Sequence, residues 1–91
     1  MSQNAPLIEE LKKMLNDGEG DDLLCGKCIE IVEWMRKEIK EIEDALDFNR
    51  ALEFEELRQD FIDVLDQITK RRHKGALDQF EQYCINQGYL P

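Results

Sequence analysis

Residues 42–54 read IEDALDFNRALEF, and the fold turns on whether a helix passes straight through them. Upstream, Cys28, Val32, Met35, Ile39, Ile42 and Leu46 step by four and three, the spacing that keeps one apolar stripe facing a partner helix. Downstream, Phe54, Leu57, Phe61, Val64 and Ile68 follow the same rule. The two series are out of phase, because eight residues separate Leu46 from Phe54. One unbroken helix would therefore turn its stripe aside. The slip predicts a turn at DFNRAL (47–52), with Asn49 capping the next helix, and a helical hairpin over about 22–48 and 50–73. A single helix over 22–72 is the rival, and such a length is rare in globular chains.

A bend at Asn49 and Arg50 would pair Leu46 with Phe54, Ile39 with Phe61 and Val32 with Ile68. It would also bring Cys25 and Cys28 to the same end as KRRHK (70–74), here called the base. A short first helix is expected over 6–16, with Leu7, Ile8, Leu11, Met14 and Leu15 on one face and Pro6 in the first turn. The acids of DGEGDD (17–22) do not fall at calcium-loop positions, so 17–21 reads as a linker, and Asp21 or Asp22 opens the second helix. ALDQFEQYCINQG (76–88) supplies a fourth helix, with Ala76, Leu77, Phe80, Tyr83 and Cys84 on its apolar side and Gly88 ending it. Residues 1–5 read as a disordered start and 88–91 as a tail, with Tyr89 and Leu90 folding onto the base. The expectation is one all-α domain: a small antiparallel bundle made of a long hairpin with short terminal helices packed at its base.

The two ends of the hairpin differ in kind. Near the base the second helix adds Leu23, Leu24, Ile29, Ile31 and Trp34 to its stripe, more than one partner can cover. RKEIKEIEDALDF (36–48) keeps only a narrow seam. The tip carries Glu41, Glu43, Asp44, Asp47, Glu53, Glu55, Glu56 and Asp60 against Lys40, Arg50 and Arg58. These eight acids, together with Trp34 at the edge of the apolar arc, are the expected partner-binding residues.

Charge narrows the choice of partner. Twenty-one acidic against 12 basic side chains leave a net charge of −9 over 91 residues, which repels nucleic-acid phosphates and favours basic proteins. KRRHK is too short a basic cluster to reverse that, and more simply completes a helix C-terminus. No apolar run is long enough to span a bilayer, and MSQNAPLIEEL lacks the marks of a signal peptide, so a cytoplasmic location and no membrane are expected. A homodimer is compatible with the composition.

CGKC (25–28) opens the second helix. As zinc ligands, Cys25 and Cys28 would need two more groups within bonding distance. His73 is the nearest by the expected register, with Asp21, Asp22 or water as the fourth; Cys84 is expected about 12 Å further up the fourth helix. As a redox pair, the thiols would be activated by helix-terminal amides and by Lys27, Arg71, Arg72 and Lys74, but no β-α-β pattern surrounds them. The plainest reading is two small apolar residues packing at a helix start. CGKCIEIVEWM resembles, over about a dozen residues, a helix of the saposin-like group that also begins with C-x-x-C; the other cysteines of that group's framework are absent. No nucleophile, base and orienting group recur in a catalytic pattern. The expected function is thus a non-enzymatic, acidic protein-binding module, an adaptor or inhibitor that occupies a basic, nucleic-acid-binding surface of its partner. A zinc- or thiol-dependent role for CGKC is the alternative.

Overall fold

The computed structural model describes residues 5–89 and contains four helices: α1 (Ala5–Asn16), α2 (Asp21–Ala45), α3 (Phe48–Lys70) and α4 (Lys74–Asn86). They form the small helical bundle expected from the apolar periodicity. After α1, Gly18 takes a left-handed conformation (φ 78°) while the amide of Glu19 donates back to the Met14 carbonyl, 3.1 Å. The backbone of the linker therefore closes the helix C-terminus.

The hairpin bends at Leu46 and Asp47, about three residues earlier than Asn49 and Arg50 suggested. Two local interactions set this position. The Leu46 amide still bonds the Ile42 carbonyl (2.8 Å), but its backbone has turned left-handed, φ 52° and ψ 44°. Asp47 then caps α3, its carboxylate accepting the Arg50 amide at 3.1 Å. A carboxylate placed three residues before a free amide ends the competition for the cap, and Asn49 lies inside the helix.

Moving the bend rotates the seam of α2. Leu24, Cys25, Cys28, Ile31 and Met35 are buried, whereas Val32 is half-buried, Ile39 is 41% exposed and Leu46 is 78% exposed. The pairing shifts with it: Phe54 meets Trp34, ring centroids 6.1 Å apart, rather than Leu46. The α3 stripe stands as read from the sequence, with Phe54, Phe61, Val64 and Ile68 buried and Leu57 half-buried.

Helices α1 and α4 each pack on both long helices and do not approach one another. From α1 come Ile8, Leu11 and Leu15; from α4 come Ala76 and Cys84, with Phe80 edge-on to Phe61 at 6.0 Å. Helix α4 climbs beside α2: Gly75 lies so close to Asp21 that a Cβ there would strike its carboxylate, and fourteen residues on the Tyr89 amide turns back to the Cys84 carbonyl, 2.9 Å. Tyr83 and Tyr89 both donate their hydroxyls to Glu33, at 2.7 and 2.5 Å, and Arg36 sits 3.8 Å over the Tyr89 ring. The tail thus docks halfway up α2 instead of on the base. Leu90, Pro91 and residues 1–4 of the expected disordered start at 1–5 lie outside the described residues, as does the side chain of Ala5, whose backbone opens α1.

Lengths explain why the bundle is uneven. The 25 residues of α2 span about 37 Å at 1.5 Å each, nearly the whole 39 Å long dimension. The 12 residues of α1 and 13 of α4 reach only about half as far. The last buried residue of α2 is Met35, and beyond it the hairpin stands without cover. The buried residues are all apolar, and among the described residues no helix is long and apolar enough to cross a membrane.

Candidate functional site

The base holds the thiols that the sequence singled out. Cys25, Cys28 and Cys84 are all free and buried. Burial pushes the Cys28 thiol up to about 12, with smaller contributions from Cys25 and Cys84; Cys25 and Cys84 are raised as well, burial again being the main cause. Cys84 contributes the smallest part of the rise at both Cys25 and Cys28. Two of the four cations expected to activate the thiols are engaged elsewhere. Lys27 bridges Glu10 and Glu30 at 2.7 and 2.9 Å, and Arg71 donates to the Leu15 carbonyl at 3.4 Å. A low-energy thiolate has no support here.

The metal corner does not assemble either. His73 Nδ1 lies 3.0 Å from Asp21 Oδ1, tying the start of α4 to the start of α2. Among the described residues no three His, Cys, Asp or Glu side chains gather to hold a metal ion, so Cys25, Cys28 and His73 are not brought together as a ligand set. The rest of KRRHK is also structural in part: Lys70 pairs with Asp66 at 3.0 Å, and Arg72 makes the turn before α4 with φ 65°.

The tip is a different kind of surface. Of the acids assigned to it, Glu41 accepts from Arg50 at 3.2 Å, Asp47 is spent on the α3 cap, and Glu55 pairs with Arg58 at 3.3 Å. Arg50 also grips Glu38 at 2.5 Å, clasping α3 to α2 just below the bend. Glu53 is exposed and has an interaction of its own. Glu43, Asp44, Glu56 and Asp60 are exposed and have no hydrogen-bonding or ion-pair partner among the described residues. Trp34 differs from them: it is half-buried, packed against the core with its ring beside Phe54 of α3.

What sequence reasoning missed is apolar. Leu46, Phe48 and Leu52 are 78%, 82% and 67% exposed, within seven consecutive residues at the bend. Phe48 and Leu52 are four apart on α3 and share a face. At 100° per residue, they lie about 120° and 160° around the helix from the buried Phe54, so neither can reach the seam. The same face continues to Glu55 and Glu56, three and four residues on. The signal was the misplaced bend: setting it at Asn49 put Leu46 in the seam and Phe48 in the turn.

Compared with known proteins, the chain matches no family model, no curated protein and no solved structure.

Proposed function

We propose that this chain is a small acidic, non-catalytic protein-binding module, an adaptor or inhibitor that presents its hairpin tip to a basic surface of a partner, including one that otherwise binds nucleic acid. The observation that supports it most is the set of four exposed carboxylates, Glu43, Asp44, Glu56 and Asp60, left without partners at the end of the hairpin that no other helix covers. In residues 41–60 eight acids face two arginines, and those two are already held by Glu38, Glu41 and Glu55. A surface of this kind attracts cations over a distance and speeds encounter with a basic patch. Carboxylates held on a rigid hairpin also offer negative charge where a nucleic-acid-binding surface expects phosphate.

The test is capture from the native host on immobilised protein, with elution by salt. A basic protein should be retained at low ionic strength and released steeply as salt rises. Replacing Glu43, Asp44, Glu55 and Glu56 by lysine changes each charge by two and takes the chain from −9 to −1. All four are exposed, so the bundle should survive. Retention of the same protein with the same salt sensitivity would remove the tip from the function.

A further inference from the structure

Leu46, Phe48 and Leu52 are three of the seven large apolar side chains left exposed among the described residues. The others, Leu23, Ile39, Ile62 and Ile85, are scattered over three helices, as single exposed apolar residues are on most proteins. Clustered exposure at one end of a monomer marks an interaction surface. We propose that these three side chains form an apolar plug that enters a recess on the partner, and that the recess is rimmed by lysine or arginine side chains. This inference rests on the acidic-tip reading and adds the contact that supplies affinity.

The charge around the plug selects its occupant. A second copy of the chain would bring two sets of eight tip acids together, within the roughly 8 Å over which physiological salt lets charges act. An anionic lipid surface or a nucleic acid meets the same repulsion. A cationic protein does not: the Phe48–Leu52 face runs directly into Glu55 and Glu56, so a recess that takes the ring lies under cations that take the carboxylates. Buried aromatic anchors surrounded by a polar rim are where binding energy concentrates, whereas rim charges set the rate of encounter. The backbone at Leu46 agrees with such a role. A left-handed position favours glycine, and here it carries a branched apolar side chain that the fold itself leaves 78% exposed.

The plug is tested with two synthetic helical peptides of equal positive charge. One carries a leucine and phenylalanine face opposite its lysines and arginines; the other has serine and glutamine in place of that face. The amphipathic peptide should bind the full chain at least about tenfold more tightly, and should shift amide resonances at residues 46–56. Phe48→Ser with Leu52→Ser should erase the difference between the two peptides while leaving the helical circular dichroism intact. Equal binding of both peptides by the unaltered chain overturns the plug and leaves the acidic tip standing. Failure of both to bind at low salt overturns the acidic-tip reading, and the plug with it. Tight binding of the amphipathic peptide that shifts resonances around Leu23, Ile62 or Ile85 instead places the apolar contact elsewhere and sinks the assignment.

Discussion

At the base, four helices enclose most of a core of twelve mutually packed buried side chains; at the tip, two helices share a seam whose buried residues nearest the bend are Phe54 and Met35, with Ile42 half-buried beyond. Both regions belong to the same long helices. What differs is how many neighbours each helix has. At the base an apolar side chain finds cover on several sides, so Leu24, Ile31 and Ile68 are fully buried, and only one facing outward, such as Leu23 at 57%, stays exposed. At the tip only one direction is shielded, and an apolar residue facing any other way stays in water. Stability is therefore concentrated at the base, and surface available to a partner at the tip.

The largest effect that would break this contrast lies in the core. Ile31 has no exposed surface, and Ile31→Ala removes its contacts and leaves a cavity between α2 and its covering helices. The expected loss is about 2–5 kcal/mol, against a total of roughly 5–14 kcal/mol for a domain of this size. Phe48→Ala, which removes a larger side chain that is 82% exposed, should cost no more than about 0.5 kcal/mol. Urea midpoints compare the two directly. Similar losses from both substitutions would mean that the tip is packed in solution and would end the division between the two regions.

The hairpin and its α3 stripe were legible because Phe54, Phe61, Val64 and Ile68 can only be buried together if α3 presents that one face. The bend was not. Heptad spacing continues through Leu46, and nothing in the pattern tells a seam residue from an exposed one at the end of a helix; the deciding interactions are an Asp47 cap and one left-handed backbone, each local and each weaker than a seam contact. That small error hid the apolar tip and placed Ile39 and Leu46 in a seam that leaves them exposed. At the base, the tight approach of Gly75 to Asp21 and the pairing of Asp21 with His73 depend on how α4 starts, which depends on the turn at Arg72. No periodicity encodes that turn, so His73 was legible as a residue of the base but not as the partner of Asp21.

A middle-sized effect sharpens the account of the bend. Asp47→Ala removes the side-chain acceptor for the Arg50 amide and should cost about 1 kcal/mol. Leu46→Gly acts the other way, relieving a left-handed leucine whose side chain contributes little to packing, and should stabilise the fold by up to about 1 kcal/mol. The two together should nearly cancel in the denaturation midpoint. Only Leu46→Gly should also weaken binding of the amphipathic peptide. A glycine that destabilises the chain would show that Leu46 is held by packing, and would return it to the seam.

The smallest effect sits at the boundary between the two regions, where Glu33 accepts both tyrosine hydroxyls and the tail is pinned to α2. Those donors, Tyr89 first and Tyr83 second, hold the Glu33 carboxyl below its ordinary 4.5. Its contribution is therefore fully present above that value and disappears as pH falls through the lower folded one. On the alkaline side the sign reverses. The hydrogen bond to Glu33 pushes Tyr83 up to about 12 and raises Tyr89 as well, from an ordinary 10.0, so the hydroxyls support the clasp below 10 and stop doing so as pH rises through the folded values. Glu33 is exposed and the two tyrosines are half-buried at the surface, so the expected outcome is local: exchange of the amides at 87–89 should quicken below pH 4.5 and at strongly alkaline pH while the core amides of Ile31 and Ile68 stay protected. Glu33→Gln should give the faster tail exchange at neutral pH, with its acid dependence gone. If the core amides open together with the tail in that variant, the clasp is part of the base, and the covered region extends further up the hairpin than Met35.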